Sequence, residues 1–247
     1  MRALILLGIL LFTSTAICAA QNACVARSGA RRAHLVELYT SEGCSSCPPA
    51  DRWLKRIGDS ADIVALGFHV DYWDSSRWRD RFSDPRFTAR QRVLSGRSGS
   101  GVVYTPEVAL DGREWQGWSH QSLPAGGPNA STGLTLHVDP GKQLHLSLDV
   151  SGSPDSGARA YFALTQSGLV SRVAGGENSG ATLHHDHVVR AFAGPLPLAH
   201  AAADLALPAD VDRRNASIVA FVQNPHSGVV DQVVHLPMSA CEDAKSY

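Results

Sequence analysis

The sequence predicts an α/β domain followed by an all-β, sandwich-like domain. Two observations along its 247 residues support this fold class. Up to about residue 122, apolar runs typical of buried strands alternate with segments of helical spacing. Beyond residue 132, short alternating runs are separated by turn residues, as is typical of antiparallel sheets. The Pro-, Gly- and Ser-rich stretch between them predicts a boundary, so we expect domains at residues 21–122 and 132–240.

The overall composition excludes some classes of protein. Hydrophobic residues make up 44% of the chain, charged residues 18%, and the net charge is -1. These values are typical of a folded protein with a sizeable core. Binding to a nucleic-acid backbone depends on a strongly cationic surface, which a chain of near-zero net charge does not provide. Nucleic acid is therefore not an expected partner.

The first twenty residues are typical of a secretory signal peptide. Arg2 precedes an apolar run over residues 3–12, and small residues follow up to Ala20. The apolar run is about half of the roughly 20 residues that a helix needs to cross a bilayer. We therefore expect cleavage of residues 1–20, no stable membrane insertion afterwards, and a secreted or periplasmic mature protein.

Four cysteines remain once Cys18 has left with the predicted signal peptide. Export favours disulfides, since an oxidising compartment lets them persist. Four cysteines allow three pairings. We favour a Cys44–Cys47 pair with a structural disulfide between Cys24 and Cys241 near the chain ends, and the mixed pairings stay open.

The first elements of the chain predict a strand, a helix and a parallel strand. The alternating run His34–Thr40 predicts a strand that leads into a C-x-x-C motif. Pro48-Pro49 fits only a first helical turn, and residues 50–57 carry apolar side chains at helical spacing. The nearly continuous apolar run over residues 62–70 predicts a strand that is buried on both faces.

A second helix and seven further strands are expected along the rest of the chain. Ser83-Asp84-Pro85 places a capping residue before a proline, which predicts the start of the helix. Strand character resumes over residues 102–110. The six β-rich runs beyond the boundary are Leu134–Val138, Gln143–Val150, Ala158–Thr165, Thr182–Phe192, Ala216–Val222 and Val229–Leu236.

The C-x-x-C motif, Cys44 to Cys47, predicts disulfide exchange. The thiolate is the reactive form of cysteine, and a helix N-terminus lowers the pKa of a thiol placed there. A tight, inert structural disulfide is the alternative interpretation of the same motif. Its position between a strand and a helix in an exported chain favours redox chemistry.

This order of elements resembles the thioredoxin fold. The resemblance implies that Cys44 is the attacking nucleophile and that Cys47 resolves the mixed disulfide. It also implies that Thr105-Pro106 is a cis-proline turn beside the dithiol, where a bound peptide pairs with the backbone. Glu37, on the strand leading to the motif, corresponds to the buried acid that helps to deprotonate the resolving cysteine.

Other candidate site residues follow the second strand. The segment His69–Asp74 lies at the carboxyl end of a buried strand, where open α/β sheets gather their sites. We expect Trp73 to bind substrate there together with Tyr104, Thr105 and Pro106. An alternative is a Cu(I) site formed by Cys44, Cys47 and His69, because thiolates and imidazole suit that ion.

The His184–His187 tract contains three histidines in four residues. On a strand only His185 and His187 share a face, so at most two ligands converge. We interpret the tract as a solvated strand edge rather than a metal site.

At a finer level the sequence is similar to a secreted family known as domain of unknown function 1223. The matching segments are Val36–Asp51, His69–Asp74, Val103–Glu107, Gly176–Asn178 and Val188–Arg190. The resemblance implies a thioredoxin-like domain with a β-rich extension and brings no established substrate.

Together these observations predict an exported thiol–disulfide oxidoreductase. Its partners are expected to be exported thiol or disulfide proteins, and its only redox group the Cys44–Cys47 disulfide, without a further cofactor. Two alternatives stay open. One is a copper-binding or metallochaperone module, and the other is an interaction protein whose C-x-x-C disulfide is inert.

Overall fold

The computed structural model describes residues 24–58, 62–99, 101–127 and 129–242. The predicted signal peptide lies outside these residues. The strands of the described residues are β1 (Cys24–Arg27), β2 (His34–Thr40), β3 (Ile63–His69), β4 (Glu107–Leu110), β5 (Arg113–Glu114), β6 (Thr132–Pro140), β7 (Gln143–Gly152), β8 (Arg159–Gln166), β9 (Leu169–Arg172), β10 (Thr182–His185), β11 (Val188–Leu196), β12 (Ala202–Ala206), β13 (Ala216–Gln223) and β14 (Val230–Pro237). The α-helices are α1 (Pro48–Ile57), α2 (Pro85–Ser98) and α3 (Ser239–Glu242).

One large mixed sheet contains eight strands in the order β14-β13-β8-β11-β3-β2-β4-β5. Within it β2 and β3 are parallel, β11 is parallel to β3, and the other neighbours are antiparallel. A second sheet has the order β1-β6-β7-β12, and β9 and β10 form a separate pair. No helix in the described ranges is long and apolar enough to cross a membrane.

The expected α/β thioredoxin-like domain followed by a separate sandwich is wrong. The chain is mostly β, and its main sheet combines strands from both predicted domains. Strand β11 joins the edge of β3, where Val188 pairs with Gly67. The physical reason is that an apolar strand edge exposes unpaired backbone groups, which another strand can cover. The predicted boundary between residues 122 and 132 is a separate point, and it stays a prediction.

Several local elements agree with the sequence patterns. Strand β2, helix α1 and the parallel strand β3 follow one another as expected. Helix α2 begins at Pro85, and the Asp84 side chain accepts a hydrogen bond from the Arg86 amide at 2.8 Å. The run Thr182–Phe192 is broken, however, because His187 adopts a positive φ of 57° between β10 and β11.

Within the described residues, the three largest of four apolar clusters hold these layers together. On one face of the large sheet, Val36 and Leu38 pack with helix α1. On the other face, Leu35 and Tyr39 pack in a cluster that includes residues of helix α2. A third cluster joins the four-stranded sheet to β8, β13 and β14. Because side chains alternate along β2, this strand separates the α1 face from the α2 face.

Candidate functional site

The Cys44–Cys47 disulfide lies at the start of helix α1. Cys47 is the N-cap residue of that helix, and its amide donates to the Cys44 carbonyl oxygen at 3.2 Å. Both cysteines are buried, with at most 1% of either residue exposed. The second disulfide joins Cys24 to Cys241. The favoured cysteine pairing is therefore confirmed.

A cover segment, residues 175–178, lies over the dithiol turn. The amide and hydroxyl groups of Ser45 donate to Glu177 Oε2 at 2.9 and 2.7 Å. These hydrogen bonds lower the pKa of Glu177. The Asn178 side chain donates to the Cys44 carbonyl oxygen at 2.8 Å. Residues distant in sequence therefore bind the C-x-x-C turn directly.

Two glycines allow the cover segment to approach this closely. A Cβ atom on Gly176 would lie 2.5 Å from the Gly43 Cα atom, and Gly176 has a φ of 70°. A larger residue at position 176 would meet both a steric clash and an unfavourable backbone conformation. The cover segment therefore depends on glycine at this contact.

Beside the dithiol lies a group of ionisable residues, here called the acid–imidazole cluster, of which four are buried and one is partly exposed. Its members come from five parts of the chain: the buried Glu42, His69, Asp80 and His185, and the partly exposed Asp51. His69 Nδ1 lies 2.7 Å from Asp80 Oδ2, and both side chains are almost wholly buried. Burial lowers the pKa of His69, but the Asp80 carboxylate outweighs this and the net pKa is raised.

The Asp80 carboxylate is held in its charged form. Burial raises its pKa, but His69 and the amides of Glu42 and Phe82 outweigh that effect, so the net pKa is lowered. The Glu42 and Phe82 amides donate to it at 2.8 and 3.0 Å. Charge-assisted bonds of this kind favour the ionised carboxylate.

His185 and Glu42 form the unsatisfied part of the cluster. The His185 ring lies 5.0 Å from the His69 ring, centroid to centroid. His185 Nε2 is 3.3 Å from Glu42 Oε1, which is an ion-pair distance. Within the described ranges, however, neither His185 nitrogen nor Glu42 Oε1 has a hydrogen-bond partner of good geometry. Such buried polar atoms are costly, so their presence requires an explanation.

Asp51 connects the cluster to the dithiol. Its amide donates to the Cys47 carbonyl oxygen at 3.1 Å, so it lies one helical turn after Cys47. Residues at this spacing share a helix face. Thr40 Oγ1 donates to Asp51 Oδ1 at 2.9 Å. Burial raises the pKa of Asp51, although the imidazoles of His185 and His69 act in the opposite direction.

A small cavity lies next to Asp51. Its volume is about 120 Å³, and helix α1 and strand β10 line it. This volume is large enough for water molecules. Asp51 therefore lies between the acid–imidazole cluster and a space that water can enter.

Glu37 is not beside the dithiol. It lies on the α2 face of β2, where Arg90 Nε and Nη2 donate to its two carboxylate oxygens at 2.6 and 2.9 Å. The Tyr39 hydroxyl donates to Glu37 at 3.0 Å. The reason is the alternation of side chains along β2, since Val36 and Leu38 occupy the α1 face. The structure therefore separates Glu37 from Cys47.

The other predicted substrate-binding residues form one connected group. The Thr105-Pro106 peptide bond is cis. Trp73 Nε1 donates to Thr105 Oγ1 at 2.9 Å, and its Cβ atom lies against Gly43. Trp73 therefore connects the cis-proline loop to the dithiol turn. Tyr104 is 40% exposed, and its hydroxyl donates to Glu114.

The Cu(I) alternative has no preformed ligand set in the part of the chain that the structure describes. No group of three or more His, Cys, Asp or Glu residues there is arranged to hold a metal ion. His69 directs Nδ1 to Asp80, and the two cysteines are bonded to each other. Copper binding stays a prediction.

Sequence reasoning did not identify several members of the acid–imidazole cluster. The interpretation of the His184–His187 tract as a solvated edge is wrong for His185 and His187, which are 2% and 8% exposed. Asp51 carried a usable signal, because it follows Cys47 by four residues, the spacing of one helix face. Asp80 and Glu42 had no such signal, since only tertiary contacts bring them to His69 and His185.

The comparisons with known proteins give a family and a fold. A family profile described as "Protein of unknown function (DUF1223)" matches residues 35–223. No curated protein matches the chain.

Two solved structures are similar in fold. A crystal structure of an Agrobacterium tumefaciens protein is 21% identical, covers 82% of this chain and 93% of its own, and has a TM-score of 0.57. A structure of HBP35 of Porphyromonas gingivalis is 13% identical, covers 86% of this chain and 77% of its own, and has a TM-score of 0.55. At these identities the likeness concerns the fold alone.

Proposed function

This chain belongs to the DUF1223 family, and we propose that it is an exported thiol–disulfide oxidoreductase that uses the Cys44–Cys47 pair. The observation that carries the proposal is the acid–imidazole cluster beside Cys47. A purely structural disulfide has no use for buried ionisable groups, and burying them costs free energy. A thiol that must lose a proton during exchange does need a nearby acceptor.

Exchange would proceed in two steps with balanced electrons. The Cys44 thiolate attacks one sulfur of a partner disulfide, so a mixed disulfide forms and the other partner sulfur leaves as a thiolate. Asp51 accepts the Cys47 proton, and the Cys47 thiolate attacks Cys44 Sγ. The partner's second sulfur then leaves as a thiolate. The partner has gained two electrons, and the Cys44–Cys47 disulfide has re-formed. The reverse sequence oxidises a partner dithiol.

Asp51 replaces Glu37 as the proposed proton acceptor. It lies on the same helix face as Cys47, and its raised pKa makes it a stronger base than an exposed carboxylate. The imidazoles of His69 and His185 stabilise the negative charge that Asp51 carries before it accepts the proton.

A partner must displace the cover segment before Cys44 can react. Cys44 is buried, and Asn178 and Glu177 hold the turn through hydrogen bonds to its backbone and to Ser45. An extended peptide lying along the Thr105-Pro106 loop and Trp73 would compete for the same side of the turn. Access to the dithiol would then be coupled to partner binding.

The proposed compartment is the periplasm or the cell exterior, and the proposed partners are exported thiol or disulfide proteins. The Cys24–Cys241 disulfide supports this location, because such bonds persist where the surroundings are oxidising.

The decisive experiment is a trap with insulin, whose two chains are linked by disulfides. The Cys47→Ala variant should accumulate a covalent Cys44–insulin adduct, since its second step is blocked. Mass spectrometry under non-reducing conditions would detect the adduct. Cys44→Ala is the matched control, because it keeps one thiol in the same turn but lacks the attacking one.

The trap also separates the alternatives. Adducts in Cys47→Ala but not in Cys44→Ala would support exchange with the assigned roles. If neither variant forms an adduct while circular dichroism shows both to be folded, the disulfide is inert and the interaction-protein hypothesis takes its place.

A further inference from the structure

A second candidate site lies on the opposite side of the large sheet from the dithiol. It is a cavity of about 780 Å³ between helix α2 and the strands β11 and β12. Its apolar wall includes Val93, Phe192 and Leu205, and its polar wall includes Arg90 and Arg97. Cavities of this size accommodate small-molecule ligands.

The cavity arises because β11 leaves its neighbour β3. In the described part of the chain, these strands pair only at Val188 and Gly67, and β11 then continues beside β8 alone. Helix α2 lies along the space that this separation leaves, and Arg86 Nη1 donates to the Phe192 carbonyl oxygen at 3.2 Å. The Phe192 carbonyl oxygen is thereby satisfied without closing the cavity.

The apolar wall includes a side chain that water would otherwise contact. Val93 is 49% exposed, although it lies in the middle of helix α2. Phe192 and Leu205 face the same space from the two sheets. An apolar ligand body would remove this surface from water, which is favourable in proportion to the area buried.

Most charged side chains that line the cavity have an ion-pair partner. Arg90 is paired with Glu37, and Arg86 with Asp84 at 2.6 Å. Asp204, at the rim, pairs with His145 at 2.5 Å. Arg97, by contrast, forms no ion pair with any of the described residues.

Arg97 donates only to carbonyl oxygens, those of Pro225 and Gly112 at 3.1 and 3.4 Å. No carboxylate within the described residues forms an ion pair with it. Its pKa is lowered by burial and by the nearby Arg90 charge. Both effects mean that an added negative charge would stabilise the guanidinium.

We propose that this cavity binds a small amphiphilic carboxylate, with its carboxylate group on Arg97 and its apolar body against Val93, Phe192 and Leu205. Guanidinium groups bind carboxylates through paired, charge-assisted hydrogen bonds, so the polar end of the ligand is specified by the residue present. The site is separate from the dithiol, since α1 and α2 pack on opposite faces of the sheet.

The test compares decanoate with decanol by isothermal titration calorimetry on the full chain. Both probes have the same apolar body, but only decanoate carries the charge. Decanoate should bind at least tenfold more tightly than decanol. Arg97→Gln should weaken decanoate binding about tenfold or more and leave decanol unchanged, since the lost interaction is a charge-assisted one.

Two further variants sharpen the test. Arg172→Gln removes an exposed arginine on strand β9, outside the cavity, and should leave decanoate binding unchanged. Val93→Glu places a negative charge on the wall at an exposed position where folding tolerates it, and should abolish decanoate binding. The proposal is overturned if decanoate and decanol bind equally, if decanoate does not bind, or if Arg97→Gln and Arg172→Gln have equal effects.

Discussion

The two faces of strand β2 carry buried charges of different character. On the α2 face, both Glu37 oxygens accept hydrogen bonds from Arg90, and Arg90 Nη2 also donates to Gln223 Oε1 at 2.9 Å. The rings that surround the guanidinium at 5.1 to 5.7 Å are those of Phe68, Tyr161, Phe192 and Phe221. On the α1 face, Glu42 and His185 keep polar atoms without good partners.

This difference indicates two roles for buried charge. Both Glu37 oxygens accept from Arg90, and Arg90 Nη2 also donates to Gln223, so the charges of this pair are fixed and contribute to a unique packing. The acid–imidazole cluster has unfilled capacity and members with shifted pKa values, so a proton can be taken up or released within it. The comparison predicts stability effects on the α2 face and reactivity effects on the α1 face.

The largest expected effect is on the α2 face. Arg90→Leu leaves the Glu37 carboxylate buried without its cation, and removing one partner of a buried pair costs about 3–5 kcal/mol. We expect the free energy of unfolding to fall by about that amount in urea denaturation.

The matched control for this prediction is Arg92→Leu on the exposed side of the same helix, which should change stability by less than about 0.5 kcal/mol. Equal effects of the two substitutions would contradict the structural role of the pair. Reactivity of Cys44 towards insulin should be the same in the folded Arg90→Leu variant as in the parent chain.

The next effect concerns the α1 face. Asp51→Asn removes the proposed proton acceptor and should slow resolution of the mixed disulfide by about 100-fold, the contribution typical of general base catalysis. Stopped-flow measurement of this step in the parent chain should show a rate that rises with pH through the raised pKa of Asp51 and then levels off.

That pH dependence separates catalysis from structure. The inflection should disappear in Asp51→Asn, while Asp139→Asn, a substitution at an exposed position of strand β6, should retain it. A parent-like pH profile in Asp51→Asn would exclude Asp51 as the acceptor, even if the rate itself were reduced.

The smallest expected effect tests whether the α2 face also contains a titrating group. Burial raises the pKa of Glu107 to about 7 from its ordinary value of 4.5, although a hydrogen bond from Gln91 acts against this shift. Between these values the folded chain binds a proton that the unfolded chain has lost. Stability should therefore fall by roughly 2 kcal/mol as the pH rises from about 5 to about 7.5.

Glu107→Gln should remove that part of the pH dependence, because its amide does not titrate. The check is urea denaturation of the parent chain and the variant at both ends of this pH range. If the two chains lose the same stability, Glu107 is already ionised in the folded state at the lower pH.

Sequence patterns predicted the local structure of the site well. The strand, helix and parallel strand around the C-x-x-C motif, the Asp84 cap and the Cys44–Cys47 disulfide were correct because they depend on short-range signals. The Cys24–Cys241 disulfide was also correct, although it spans 217 residues, because four cysteines leave only three pairings. The fold class was wrong, because periodicity identifies strands but not their neighbours. The short strands β1, β9 and β12 had too little apolar alternation to be recognised.

The candidate site was predicted only in part for the same reason. Cys44 and Cys47 were identified from their motif, whereas Glu37 was assigned to the dithiol although its side chain faces Arg90. The face of β2 on which a residue lies depends on which helix packs there. That choice is made by contacts between segments far apart in the chain.

By itself, the sequence determined the elements that carry the dithiol and its position at a helix start, and it favoured the pairing of the two cysteines without excluding the mixed pairings. These follow from the prolines of the first helical turn, periodicity and cysteine spacing, which act over a few residues. Only the tertiary structure decided that one sheet joins both halves of the chain, that residues 175–178 cover the dithiol, and that Asp51, His69, Asp80, Glu42 and His185 meet beside it. Such contacts are decided by the free energy of packing the whole chain, in which each buried group must find its partners at once.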